Sequence, residues 1–303
     1  MFYQESYGRH SEWYNQHFPT RESKINHYLT AKSAGSGHIA HWIQQIFFNC
    51  LDPLLVEQGQ NWLTVGDAYG FDAQYILNKN CLAVATDLKT DFLAVAKDEG
   101  IISAYAAENA EHLSFKDNTF DYVLCKESYH HFPRPYAAIY EMIRVAKNGI
   151  IVIEPQDPVS KIPILLLLQN LLASRPRLLH KVWPNRFSFE PVGNFVYKVS
   201  EREFEKLAAG LHLPMVAFKH INPNFYFKGA DSIIADRANR QFLSIKRKKQ
   251  LLDLLVRFKI IPGQVLATVI FKQMPDEGTI KMLRADGYKL INIPANPYLG
   301  DTI

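Results

Sequence analysis

Tyr129-His130-His131 follows directly on an apolar, strand-like run at residues 120–125. Open α/β sheets place ligands beyond the carboxyl ends of their strands. An imidazole there titrates close to neutrality and can take or return a proton. The bland alternative is that a histidine caps or packs the turn leading into Pro133. Two glycines, Gly66 and Gly70, sit between a strand-like run (62–65) and a helical one (71–78). Glycine permits a tight turn and close ligand approach, and a helix N-terminus favours negative charge, although such a pair is often only a turn. Asp87 closes the next apolar run, where a carboxylate can accept both hydroxyls of a ribose or cap the following helix.

These groups need elements to hold them. Residues 62–65, 82–86, 102–106, 120–125 and 150–153 read as strands, and 71–78, 91–99 and 135–145 as helices between them. Branched-residue strands alternating with helices imply a doubly wound, mostly parallel α/β sheet covered on both faces. Two later strands, 215–221 and 265–272, bring the expected count to seven. The chain divides into a helical N-terminal extension (1–50), a core (51–155) and a lid-like insert after the fifth strand (156–199). The remainder of the core (200–275) carries a helical insert after the sixth strand (222–263), and 276–303 reads as a C-terminal appendage. Ser200 and Glu203 form a capping-box pair at a helix start. A second amphipathic helix, 239–260, carries Lys246-Arg247-Lys248-Lys249, a basic run that reads as a solvated face.

Composition narrows the function classes. The chain has 303 residues, 48% hydrophobic and 21% charged, the balance of a soluble globular protein. A net charge of +4 is too diffuse for a nucleic-acid partner, and none is expected. Cys50, Cys81 and Cys125 show no paired spacing, so neither disulfides nor a metal site is expected, and a reducing cytoplasm is the default. No leader-like segment is visible at the start. The most lipophilic stretch, 162–173, is shorter than the roughly 20 apolar residues that span a bilayer, which leaves peripheral membrane contact open.

Further residues extend the pattern: Asn109-Ala110-Glu111, Leu113-Ser114-Phe115, Phe120-Asp121, His130-His131-Phe132, Glu141-Met-Ile-Arg-Val145 and Glu154-Pro155. In this order and spacing they resemble the class I S-adenosylmethionine (SAM) dependent methyltransferases, specifically their ubiquinone/menaquinone-methylase-like branch. The resemblance covers about a third of the chain. It implies the Rossmann-like methyltransferase fold and SAM as cofactor, leaving as S-adenosylhomocysteine. By that resemblance Gly66, Asp67 and Gly70 line the methionine end, Asp87 and Leu88 the ribose, and Asn109 and Ala110 the adenine. Lys126 and Glu127 then lie next to the sulfonium. The family's usual acid is Thr64 here and a usual glycine is Ala68, so Asp67 must take over the methionine amino group. Its usual adenine-contacting Asp is Asn109, whose carbonyl can still accept from the amino group.

Methyl transfer needs an aligned acceptor and, for a hydroxyl, a base. His130 is the expected base, His131 the second candidate and Glu154 the orienting acid. Tyr129, Glu190, Asn194 and Tyr197 are the expected acceptor contacts, because rings set among polar groups suit a polyhydroxylated ligand. The segment 187–197 is similar to methyltransferases of surface-polysaccharide biosynthesis, so a sugar hydroxyl of a glycan or glycan precursor is the expected target. The leucine-rich 162–172 points instead to a quinone, polyketide or lipid-linked acceptor. Thr64, Ala68 and Asn109 raise a third reading, a catalytically retired SAM-binding scaffold. Tyr3, Tyr7, Trp13 and Tyr14 could close over the cofactor or simply pack, and the oligomeric state is left open.

Overall fold

The computed structural model describes residues 2–33, 37–158, 161–190 and 194–298. Three helices, α1 (Phe2–His17), α2 (Arg21–Ser33) and α3 (Ile39–Phe48), precede the sheet. Then β1 (Asn61–Val65), α4 (Phe71–Leu77), β2 (Leu82–Asp87), α5 (Asp91–Asp98), β3 (Ala104–Ala107) and β4 (Phe120–Lys126) alternate. A single 3-10 turn, Tyr129–His131, leads into α6 (Pro135–Val145) and β5 (Ala146–Pro155). Helices α7 (Pro163–Leu172), α8 (Pro176–Val182) and α9 (Glu201–Gly210) lie between β5 and β6 (Met215–Ile221). Helix α10 (Arg240–Arg257) precedes β7 (Val265–Phe271), and α11 (Glu277–Ala285) and β8 (Lys289–Asn292) complete the chain.

The sheet has the order β3-β2-β1-β4-β5-β7-β6-β8. Strands β1 to β5 pair in parallel, whereas β7 runs antiparallel to both β5 and β6. The expected seven strands are therefore eight. The segment expected as an appendage supplies β8, which pairs antiparallel with the outer side of β6. Four residues of mixed character carry too short a period-two signal to announce a strand; the free edge of β6 recruits them.

Strand β5 shows why a run without alternation reads as a central strand. Ile150, Ile151, Val152 and Ile153 are all fully buried. Ile151 and Ile153 join one core and Ile150 and Val152 the other, on opposite faces of the sheet. Each such burial is worth about 1.5–3 kcal/mol. Ser200 caps α9 by accepting from the Glu203 N–H, but the reciprocal half of the box is absent among these residues, because the Glu203 carboxylate is engaged by the Tyr136 hydroxyl. The three cysteines are buried and unpaired by disulfides.

Gly149 marks the closest approach of β5 to β7. A Cβ there would lie 2.6 Å from the Ile270 carbonyl oxygen and 3.2 Å from the Phe271 Cα. Both obstacles are backbone, so neither can rotate away. Gly149→Ala is expected to cost about 1–3 kcal/mol, read as a lower denaturation midpoint in urea.

Candidate active site

The glycine turn after β1 is built as its sequence implies. Gly66 and Gly70 both have positive φ, 72° and 75°. A Cβ on Gly66 would lie 2.6 Å from Ser128, so the turn after β4 packs directly on that glycine. Asp67 lies beneath. Its carboxylate accepts from the Asp72 and Ala73 N–H groups at 3.3 and 2.9 Å and from the Thr64 hydroxyl at 2.9 Å. It therefore holds the start of α4, and Thr64 supports it instead of supplying an acid. Asp72, which the sequence reading missed, also lines the cavity and pairs with Lys126 at 3.1 Å. The Lys126 ammonium further rests on the faces of Phe47 and Phe48, so its charge is spoken for. Burial pushes the carboxyls of Asp67 and Asp72 upward.

Asp87 stands at the end of β2, where its carboxylate accepts from the Lys89 N–H at 2.8 Å. Burial raises it to about 6, partly offset by that bond. Leu88 beside it is exposed, and both line the cavity. Asn109 and Ala110 line the same cavity. The Asn109 carbonyl oxygen already accepts from the Glu111 N–H at 2.9 Å and from the Tyr7 hydroxyl at 3.4 Å. An adenine amino group would have to compete with Tyr7 for it. Tyr14 also lines the cavity and packs edge-on against Tyr69 and Phe92, whereas Trp13 stacks on His17. The Tyr3 side chain lies outside the described residues.

Past β4 the chain turns around one buried carboxylate. Glu154, at the end of β5 and fully buried, accepts from the Ser128 and Tyr129 N–H groups at 2.8 and 2.7 Å and bonds His130 Nδ1 at 2.5 Å. On the other side of the rings, Glu190 lies 3.6 Å from His130 Nε2 and 2.7 Å from His131 Nδ1. Burial alone would lower the His130 pKa, but the Glu154 charge and bond, joined by Glu190, push it up to about 10. Both nitrogens of the expected base therefore face carboxylates, Nδ1 bonded to Glu154 and Nε2 3.6 Å from Glu190. Hydrogen bonds from the two histidines outweigh burial and hold Glu190 well below the ordinary carboxylate range.

Glu127 is different in kind. It has a positive φ of 53°, lines the cavity, and its Oε1 is buried with no hydrogen-bond partner. Burial, then the Glu154 charge, raise it to about 7 against the pull of Lys126 and His130. A strained backbone carrying an unpaired buried oxygen marks a position that the fold sustains against its own stability.

One cavity of about 1070 Å³ joins these groups, from Gly66 and Asp87 to His131 and Asn194. Asn194 is buried and donates to the His131 carbonyl at 3.3 Å. Three expected acceptor contacts are not on its wall: Glu190 lies against the two histidines, and two tyrosines pack elsewhere. Tyr129 is 1% exposed and packs in the core, because the Glu154 anchor turns its ring inward. Tyr197 packs edge-on against Phe195 beside the same core. Sequence reasoning also missed Ser128, His27 and Tyr28, all on the cavity wall. The two from α2 carried no motif; only packing brings them here.

Residues 63–153 match the family model described as a methyltransferase domain. The fold is the Rossmann-like one of the methyltransferases. A phosphoethanolamine N-methyltransferase 2 of Haemonchus contortus, solved with phosphomonomethylethanolamine and S-adenosylhomocysteine, aligns with a TM-score of 0.50 at 14% identity, covering 86% of this chain and 59% of that one. A 1,6-didemethyltoxoflavin-N1-methyltransferase of Burkholderia thailandensis aligns at 13% identity and a TM-score of 0.47, covering 82% and 89%. A ubiquinone/menaquinone biosynthesis C-methyltransferase of Haemophilus ducreyi is 31% identical over 115 residues, 34% of this chain and 44% of that protein. The chain therefore spans less than half the length of that curated relative.

Removing the Glu154 carboxylate strands three donors in a dry interior. Glu154→Ala is expected to cost about 3–5 kcal/mol, measured by chemical denaturation. A loss below one kcal/mol, on the order of a surface substitution, would show that the turn does not depend on it.

Proposed function

We propose that this protein is a SAM-dependent methyltransferase acting on a small oxygen acceptor, a sugar hydroxyl of a glycan or glycan precursor. The observation that carries the reading is the single cavity running from the glycine turn, past Asp87 and Ala110, to Glu127 and His131. Its parts suit the cofactor. Asp87 can accept from ribose hydroxyls, and the Asp67 and Asp72 carboxyls on the same wall can meet the methionine amino group. When bound, SAM supplies a sulfonium methyl and leaves as S-adenosylhomocysteine.

The chain's own part is alignment and proton removal. The acceptor oxygen gives its electron pair to the methyl carbon, and its proton passes to the free oxygen of Glu127, whose value near 7 suits a general base. His131 and Asn194 form the wall on the acceptor side, with His130 held behind them by Glu154. Gln44, Gln45 and Asn224, set among Phe47, Phe48 and Tyr28, offer hydroxyl partners beside aromatic faces. A protein that had lost catalysis would bind SAM without turnover on any acceptor.

One feature favours an apolar or lipid-linked acceptor as a second reading. Helix α7 presents Ile164, Leu167 and Leu171 at 64%, 56% and 66% exposure. No described helix is long and apolar enough to cross a membrane. Such a stripe suits contact with a lipid surface or an apolar acceptor. A panel of saccharides, lipid-linked saccharides and hydroquinones, scored by S-adenosylhomocysteine release, separates the readings.

Titration calorimetry should show SAM and its demethylated product binding; binding of neither would sink the proposal. Asp87→Ala should weaken SAM about 10–100-fold, since a hydrogen bond to a charged group is worth about 1.5–3 kcal/mol. The carboxylate must be ionised to accept both hydroxyls, so affinity should be full above pH 7 and fall as pH drops through about 6. Asp67, His131, Lys89, Tyr14 and Tyr69 are the titratable groups around it. Glu127→Gln should cut turnover at least about 100-fold, the lower range for a general base, while SAM affinity is retained. Unchanged turnover would remove Glu127 from that role.

A further inference from the structure

We propose that His130, His131 and Glu190 form a binding site for a first-row divalent metal ion of the zinc or iron(II) type, open toward the acceptor side of the cavity. The three side chains offer two ring nitrogens and a carboxylate oxygen that lie within 4.8 Å of one another. Metal bonds of about 2.0–2.2 Å hold neighbouring donors roughly 3–3.5 Å apart. The Glu190 oxygens, 3.6 Å from His130 Nε2 and 2.7 Å from His131 Nδ1, straddle that spacing. A small rotation of one carboxylate seats an ion.

Orientation of the first ligand is already fixed. The buried Glu154 carboxylate takes the Nδ1–H of His130 at 2.5 Å, which leaves Nε2 as the lone pair turned toward Glu190. Metal-ligating histidines are ordinarily held this way, by a carboxylate on the far nitrogen. Glu154 is itself anchored by two backbone N–H groups, so the ring cannot swing away. Glu154 and Glu190 flank the imidazole of His130, and Glu190 also lies 2.7 Å from His131, an acidic surround that suits a cation.

The donor set decides the ion class. Two imidazoles and one carboxylate suit zinc, iron, cobalt or nickel better than magnesium or calcium, which prefer oxygen. Three protein ligands leave coordination positions open, the arrangement of a site that binds something besides protein. Of the three ligands His131 lies on the cavity wall, with Asn194 tied to its carbonyl, so the cluster adjoins the place assigned to the acceptor. The ion would hold an acceptor oxygen next to Glu127 and make its proton easier to remove. That use of the metal rests on the methyltransferase reading, whereas its binding does not. Cysteine spacing had argued against a metal, but this cluster contains no cysteine. Its third ligand comes from the insert after β5, far along the chain from the histidines.

The test uses full-length protein stripped with a chelator and titrated with cobalt(II) as the spectroscopic probe, and with zinc(II) by calorimetry. One equivalent of cobalt should bind with visible d–d absorption. His131→Ala and Glu190→Gln should abolish that spectrum, and Glu154→Gln should weaken binding about 10–100-fold. SAM titrations on the same samples report folding and the cofactor site separately. If the unsubstituted protein takes up no stoichiometric cobalt or zinc, or if substitutions that preserve SAM binding leave metal affinity unchanged, the cluster is an ion-pair network and the proposal fails. Loss of SAM binding with metal binding intact would overturn the cofactor reading and leave the metal site standing.

Discussion

The structure around the cavity depends on one buried carboxylate. Glu154 ends the central strand β5, has no exposed surface, and receives two backbone N–H groups and an imidazole from the turn after β4. A charge taken out of water is sustained only by such a complete set of donors. The consequence is a rigid joint between two neighbouring strands at the sheet's carboxyl edge. Ser128, held there by Glu154, packs on Gly66; Tyr129 turns into the core; His130 is held through its Nδ1. The glycine at 66 is required less by a ligand than by this joint.

A second set of ion pairs holds the loop after β3. Glu111 accepts from the backbone and side chain of Arg134 at 2.7 and 2.6 Å. Glu141 accepts from the Leu113 N–H at 2.8 Å, and Arg144 donates to the Leu113 and Phe115 carbonyls at 2.9 and 2.8 Å. Helix α6 thus staples the loop that leads away from Asn109 and Ala110. Residues that read as a family signature turn out to be its braces. They keep backbone groups at fixed positions without touching the cavity.

Electrostatics divides the cavity. Beneath the glycine turn, Asp67 and Asp72 face a single buried ammonium, Lys126, which aromatic rings shield from water. Around the turn after β4 the ionisable groups are Glu127, Glu154, Glu190 and the His130 imidazole. Burial raises both Glu127 and Glu190, but the two histidines beside Glu190 outweigh it, so the two acids move in opposite directions. Glu190 lies 2.7 and 3.6 Å from the two rings, whereas one Glu127 oxygen has no hydrogen-bond partner.

Sequence alone determined the alternating strands and helices through Pro155, the glycine turn and the acid at the end of β2. These are encoded locally, in period, in branched residues and in the conformational freedom of glycine, and need no knowledge of distant contacts. It also placed both histidines just past β4. Their surroundings follow only from tertiary structure, because His130 meets Glu154 and Glu190, carboxylates delivered by β5 and by the following insert. The same holds for Tyr129, whose ring direction follows from the Glu154 anchor, for β8, recruited by a free edge, and for Asp72, His27 and Tyr28 on the cavity wall. A side chain's type is written in the sequence, but its charge and its facing are properties of the neighbours that the fold assembles around it.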